Sequence, residues 1–310
     1  MKTVVVTNCT NRKRADDHAP VQMPDGDHVS LTEMARSWLE CVNSRSSRAP
    51  AASLYLGRSV TEARFTAALL NAPLMFASTG LGLVGSDERC PPYNLTVTAD
   101  PNSIMPALAK CGAGASDWWM AINAARGTPD ALANLVCNPE IDRVFLALSS
   151  NYIRLIAGDL AKIDEHGAHK LRIFTSKPGL EAIPLHLRDS AMPYDERLEA
   201  SSLPGTRNDF PQRSMRHFIE VLGLGETPLA RARASVQDSM AGLIMRAPPA
   251  RRRATDSEIT SILECAWAGH QGGAAKLLRY LRDEKMVSCE QTRFRRLWQV
   301  IQRRIKTGSN

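Results

Sequence analysis

The sequence predicts an α/β fold: a doubly wound, mostly parallel sheet followed by a C-terminal basic helical module. Three observations predict it. Short apolar runs at 3–7, 53–57, 74–78, 143–149 and 171–175 mostly end in small or polar residues, as buried parallel strands do. Helical patterns lie between those runs, and strand alternating with helix makes a two-sided sandwich. The basic excess sits at one end: residues 246–310 hold 14 Lys and Arg against 6 Asp and Glu, whereas residues 1–245 hold 25 against 26. The expected organisation is an α/β domain over 1–245, a linker over 246–256 and a helical module over 257–310.

The first strand, Val4-Val5-Val6-Thr7, runs into the polar turn Asn8-Cys9-Thr10-Asn11-Arg12-Lys13-Arg14. The stretch 8–29 is long and poor in apolar residues, which marks a functional or mobile loop. A helix follows over 30–42, where Ser30 and Glu33 have capping-box spacing. After the run at 53–57 comes a helix over 61–70. The strand Leu74-Met75-Phe76-Ala77-Ser78 then breaks into Thr79-Gly80-Leu81-Gly82-Leu83-Val84 and Pro91-Pro92-Tyr93-Asn94-Leu95-Thr96. Helices over 115–125, 129–136 and 152–162 alternate with the last two strands. A second loop, 201–212, leads into a helix with Arg213, Arg216 and His217 near its start.

Arg246-Ala-Pro-Pro-Ala-Arg-Arg-Arg reads as a Pro-rich linker. Beyond it, Thr255 and Glu258 are spaced as a capping box opening a helix that Gly269 closes; 274–283 is a second helix; Ser288 and Gln291 are spaced to open a third, running to about Arg304. On that last helix Phe294, Leu297, Trp298, Ile301 and Ile305 share one face, and Arg295, Arg296, Gln299, Arg303 and Lys306 the other. With Arg251, Arg252 and Arg253, the cationic face suits phosphate contacts to DNA, salt-dependent and largely indifferent to sequence. A solvated face on a packing helix has the same pattern. Trp298 reads as core rather than as a stacking platform.

Composition is that of a globular protein, with 44% hydrophobic and 23% charged residues. No stretch approaches the roughly 20 apolar residues of a membrane span. The N-terminal apolar run is too short for a signal-peptide core, so the expected location is cytoplasmic, with no membrane partner. The seven cysteines are odd in number and form no C-x-x-C, which argues against a disulfide framework and a structural zinc. No cofactor and no metal is expected, and no protein partner is implied.

Loops at the carboxyl ends of parallel strands build the ligand crevice of such sheets. Asn8, Cys9, Asn11, Ser78, Thr79, Tyr93, Asn94, Ser149, Ser150, Asn151 and Tyr152 fall at or beyond such ends. Amide side chains offer donor and acceptor together, the requirement for reading a base edge, and a Tyr ring can stack on a flat ligand. Asn151 and Ser150 equally suit a helix cap. Cys9 has no His near it in sequence, which weakens a nucleophile role. Asp87, Glu88, Asp195, Asp209 and Glu220, with His217, are the candidate acids and bases. Asp209 ranks first, although it is as well placed to cap the helix after Pro211. Gly80-Leu-Gly-Leu-Val lacks the third glycine and following helix of a dinucleotide fingerprint. P-loop, nucleophile-elbow and zinc-deaminase signatures are absent from the sequence.

Several blocks together resemble a bacterial family: the strand with Asn-Cys-Thr-Asn-Arg-Lys13, Tyr55-Leu-Gly-Arg58, Ala77-Ser-Thr-Gly-Leu-Gly-Leu-Val84 with Pro92-Tyr-Asn-Leu-Thr96, and Ala147-Leu-Ser-Ser150. The family's form is strand-Ser-Cys-Thr-x-x-Lys, then Ser-Ala-x-x-Gly-Leu and Pro-Tyr-(Asp/Asn)-x-Thr. It is related to the YaaA peroxide-stress proteins and to the uracil-DNA-glycosylase-like domain of archaeosine synthase. The resemblance covers roughly residues 1–220. It implies a uracil-DNA-glycosylase-like fold and work on nucleobases, often in phage-defence or DNA-modification settings. The expected activity is that of a monofunctional DNA N-glycosylase. It would act on a flipped, modified base of duplex DNA, glucosylated hydroxymethylcytosine being one such base. A deazaguanine-type base-modifying enzyme and a non-catalytic DNA-binding module are the alternatives.

In the glycosylase reading Asn8, Asn11 and Asn94 read the base or place water, Tyr93 stacks, and Asp209 or Asp87 stabilises an oxocarbenium-like sugar. Cys9, Ser78, Thr79, Ser149 and Asn151 complete the substrate contacts. Familiar uracil-DNA glycosylases carry a water-positioning Asp in the first loop, where this chain has Asn8 and Asn11. No Lys is expected at a buried site position, so Schiff-base chemistry is not anticipated.

Overall fold

A computed structural model describes residues 2–14, 19–24, 30–244 and 250–307, with 306 and 307 described as backbone only. The chain forms two compact units, Met1–Met245 and Arg246–Asn310. The elements used below in the first unit are β1 (Thr3–Asn8), α1 (Leu31–Asn43), α2 (Arg58–Leu69), β2 (Leu74–Ser78), β3 (Gly82–Gly85), α3 (Ala115–Ala125), β4 (Arg143–Ala147), α4 (Ser150–Leu155), β5 (Leu171–Phe174) and α5 (Phe210–Arg216).

The first unit is α/β with a mostly parallel central sheet, in the order β3-β2-β1-β4-β5. β1 pairs in parallel with β2 on one side and β4 on the other, β5 extends the parallel run, and β3 is antiparallel to β2. Every residue of β1 is buried, as the continuous run Val4-Val5-Val6 requires of a central strand covered on both faces. α2 and α5 pack together, as do α1 and α3. Beneath the sheet's far half, Phe174 lies 6.4 Å from Phe145 and 5.3 Å from Phe218 between ring centroids. Ser30 caps α1 by accepting from the amide of Glu33.

Two expectations about strands are overturned. The run at 53–57 is not a strand: Ala51–Leu54 is a helical turn, and Tyr55 makes only an isolated antiparallel bridge to Lys13. Gly82–Gly85, read as loop, is instead the antiparallel edge strand. Two glycines permit it. At Gly80 an added Cβ would stand 2.9 Å from the Tyr93 ring. Gly82 turns the chain back at φ +67°, and a Cβ there would lie 2.2 Å from Asn123 Oδ1. That same oxygen accepts the amide of Leu83 at 3.0 Å and so anchors the returning strand.

The second unit contains β6 (Arg252–Arg253), α6 (Asp256–Ala266), α7 (Ala274–Arg279), β7 (Val287–Ser288) and α8 (Gln291–Thr307). It has its own core, in which Ile259, Leu263, Leu277, Leu281, Phe294 and Ile301 are buried. Thr255 and Glu258 form the capping box of α6. Of the expected linker, 246–249 lies outside the described residues. Its remainder is structured, because Arg252 and Arg253 pair in parallel with Val287 and Ser288. Ser288 belongs to that pair and donates to the Arg252 carbonyl, so it is not the cap of α8. Among the described residues no helix is long and apolar enough to cross a membrane.

Candidate functional site

From β1 the chain passes to β2 on one side and later to β4 on the other. The carboxyl ends of β1 and β4 therefore flank the point where the winding reverses, and ligands of open α/β sheets bind outside such points. Register brings Asn8 level with Ala77, and Thr7 level with Ala147. Asn8, Ser78 and Ser149 thus emerge on one edge.

A side chain from over 200 residues away ties that edge together. Gln212 on α5 donates from Nε2 to Thr7 Oγ1 at 3.0 Å, Asn8 Oδ1 at 3.0 Å and the Ala147 carbonyl at 2.8 Å. Asn8 Oδ1 also accepts the Ser149 amide at 3.4 Å, while its Nδ2 donates to the Cys9 carbonyl at 3.0 Å. Asn8 is therefore a strut, and one N–H of its amide has no partner among the described residues. Nothing in the local spacing around Gln212 marked it. Its Oε1 is buried with no hydrogen-bond partner among the described residues.

Beside the strut lies a buried cluster of hydroxyls and a thiol. Cys9 Sγ is 2.9 Å from Tyr152 Oη and accepts from Tyr93 Oη at 3.5 Å. Tyr152 Oη also meets Thr79 Oγ1 at 3.3 Å. Tyr93 Oη meets Ser78 Oγ at 2.7 Å and Tyr55 Oη at 3.0 Å. Burial, reinforced by the Cys9 sulfur, holds Tyr55, Tyr93 and Tyr152 well above the usual phenol range. They are neutral hydrogen-bonding groups at any physiological pH. Trp38 and Trp118 fasten the following loop from above, donating to the carbonyls of Gly80 and Thr79, each at 2.6 Å.

Several expected ligand contacts are overturned by burial. Tyr93 is 0% exposed, with Lys13 on its face and the Trp38 ring edge-on at 6.0 Å, so it is no open stacking platform. Ser78, Thr79 and Cys9 are likewise interior, and their polar atoms serve the network. Ser149 and Asn94 are half-buried on the edge, Asn151 is half-buried in the first turn of α4 and accepts from Arg154, and Asn11 is exposed.

The carboxylates are also corrected. Asp87 lies beyond β3, whose antiparallel run returns the chain to the opposite edge: Gly85 pairs with Met75, and the Ser86 amide donates to the Leu74 carbonyl. Asp209 is buried and committed: Oδ1 accepts from Arg213 Nε at 2.6 Å and the Thr206 amide at 2.8 Å, and Oδ2 lies 3.3 Å from Arg58. It closes a capping box with Thr206. Glu88, Asp195 and Glu220 pair with Arg126, Arg197 and Arg216. His217 is buried against Tyr194 Oη, and burial lowers its pKa.

Lys13, like Gln212, is absent from the residues expected at the site. It is half-buried, with Nζ 4.0 Å from the Tyr93 ring centroid and 5.9 Å from that of Tyr55. Burial lowers its pKa, opposed by the Cys9 sulfur. Its signal was present, because the motif Asn-Cys-Thr-Asn-Arg-Lys ends on it. Arg12 and Arg14 flank it in the chain, both exposed.

In the second unit the expected DNA-contacting cations divide. Arg251 donates to the Arg282 carbonyl and pairs with Asp283, Arg252 pairs with Glu258, and Arg296 pairs with Asp256 at 2.6 Å. Each of these cations has a carboxylate partner within the unit, Arg252 and Arg296 at its surface. Arg253 and Arg295 are exposed and form no ion pair among the described residues, and Arg303 is exposed. The Lys306 side chain lies outside the described residues. A groove of about 590 Å³ is lined by Arg251, Arg279, Arg282, Arg295, Phe294 and Trp298. An adjoining one of about 530 Å³ shares Arg251 and Arg282 and adds Arg253 and Arg293. Trp298 stacks on Trp267 with 6.1 Å between centroids and donates to the Gly272 carbonyl.

Among the described residues no group of three or more His, Cys, Asp or Glu is placed to hold a metal ion. Comparison of the chain with family models, curated proteins and solved structures returned no match.

Proposed function

We propose that the protein is a DNA glycosylase that excises a modified base and leaves an abasic site, in the setting of defence against phage. One observation carries this reading. The carboxyl ends of β2, β1 and β4 converge on a single polar network, at the reversal of the sheet, beneath the cationic turn Arg12-Lys13-Arg14. A neutral, amide-bearing floor suits a base, and a cationic rim suits the phosphates beside it. The α/β architecture accords with a uracil-DNA-glycosylase-like fold, and the motif blocks that resemble the YaaA-related family lie on this same edge.

In this reading the second N–H of Asn8 and the polar edge from Ser149 to Asn151 donate to the base as it acquires negative charge on leaving. Asp87 and Asp209 have no part. The arginine-lined grooves of the second unit add sequence-neutral phosphate affinity.

The test is incubation of the full chain with normal, uracil-containing and glucosylated-hydroxymethylcytosine DNA. Released bases are followed by mass spectrometry and abasic sites by an aldehyde-reactive probe. Release from the modified DNA alone is expected. An altered but still attached base would point to the deazaguanine type of enzyme. Tight, salt-sensitive binding with no product on any substrate would leave a binding module.

A further inference from the structure

Lys13 differs from its neighbours in the same turn. Its backbone is held by the bridge to Tyr55, with Leu56 N donating to the Arg12 carbonyl at 3.0 Å and Arg14 N to the Leu54 carbonyl at 2.8 Å. Its stem is therefore directed back along the aromatic wall, and the amine rests on the face of Tyr93. A buried lysine kept for architecture ordinarily has a carboxylate or carbonyl against its ammonium. Lys13 has no hydrogen bond or ion pair among the described residues; around it are the neutral phenols and Cys9. Desolvation, opposed by the Cys9 sulfur, lowers its pKa and raises its share of free amine. The residue as a whole is half-buried, and the turn that carries it is exposed at Arg12 and Arg14.

We propose that Lys13 is an amine nucleophile that condenses with the C1′ aldehyde of an abasic deoxyribose, giving the protein an abasic-site lyase activity. The proposal rests on the glycosylase reading, whose product is that sugar. The Nζ lone pair forms the C–N bond to C1′, the carbonyl oxygen leaves as water, and a protonated imine results. The imine acidifies C2′, whose proton passes to water. The 3′-phosphate then departs with the electron pair of the C3′–O bond, and hydrolysis of the imine returns the amine. No oxidant or reductant is required.

The experiment uses the full chain and a duplex carrying one preformed abasic site, with sodium borohydride to reduce any imine to a stable amine. Wild type is expected to give a covalent protein–DNA adduct that intact duplex does not give. Lys13→Arg keeps a positive charge beside Tyr93 but supplies no amine nucleophile. It is expected to lose the adduct and retain the wild-type melting temperature. Lys13→Gln is expected to lose the adduct too. An undiminished adduct in Lys13→Arg, or none with wild type, overturns the proposal. The abasic duplex bypasses base excision, so the two claims fail separately. Trapping without base release removes the glycosylase step, and base release without trapping removes the role of Lys13.

Discussion

Asp159 shows how one buried carboxyl can run against the usual dependence of stability on pH. It is 0% exposed; Oδ2 accepts from Trp119 Nε1 at 2.7 Å and the Leu132 amide at 3.1 Å, while Oδ1 has no partner among the described residues. Burial raises its pKa, outweighing those two hydrogen bonds. A raised carboxyl binds its proton more tightly folded than unfolded. The native state therefore holds the extra proton, and stability falls as pH rises from the unfolded value of about 3.9 through the raised native one. Asp159→Asn removes that titration. The difference in melting temperature, wild type minus variant, should shrink or reverse between pH 4 and pH 7. A difference constant across that range would show that the carboxyl does not titrate upward. Lys13 is the same physics with the opposite sign, since burial there favours the neutral amine.

At the scale of elements, the joint between the Thr206 turn and α5 is held by one side chain. Arg213 is fully buried and reaches Asp209 at 2.6 Å, Glu199 at 2.5 Å and the carbonyls of Leu203 and Thr206 at 2.7 and 2.9 Å. Because α5 also carries Gln212, this joint sets the strut under Asn8. Arg213→Met takes from the buried Asp209 carboxylate its buried cation, leaving Arg58 at 3.3 Å and the Thr206 amide, and should cost about 3–5 kcal/mol, read from denaturant unfolding. Arg213→Met with Asp209→Leu removes both charges and should recover most of that loss. A double variant no more stable than the single one would place the cost in the lost carbonyl contacts instead. This joint also explains what was legible beforehand. The positions of Asn8, Ser78 and Ser149 at strand ends could be read from apolar runs stopping at polar residues. Their engagement could not, because Gln212, Tyr55 and Tyr152 arrive from distant segments. Asp87 was misplaced for a related reason. Gly80-Leu-Gly-Leu-Val has a loop's glycines, and the ladder with β2 and the distant side chains of Asn123 and Arg126 make it a strand running to the other edge.

For the whole molecule, the uneven charge along the chain was readable by counting, but the number of cations available to a partner was not. Arg251, Arg252 and Arg296 each meet a carboxylate within the second unit, whereas Arg253, Arg279 and Arg295 form no ion pair among the described residues and line the two grooves. Each phosphate neutralised contributes about −0.9 to the slope of log K against log salt for duplex DNA. On the proposed DNA-binding role, replacing those three arginines together with Gln should therefore flatten the slope by about 2–3 and weaken binding similarly on any sequence. Fluorescence anisotropy with a labelled duplex across a salt series measures it. Replacing Arg251, Arg252 and Arg296 should change the slope far less and the melting temperature of the second unit more. Equal slope changes for the two triplets would mean that the ion pairs to Asp283, Glu258 and Asp256 open on DNA. The cationic capacity of the unit would then be its full count of arginines rather than the unpaired share.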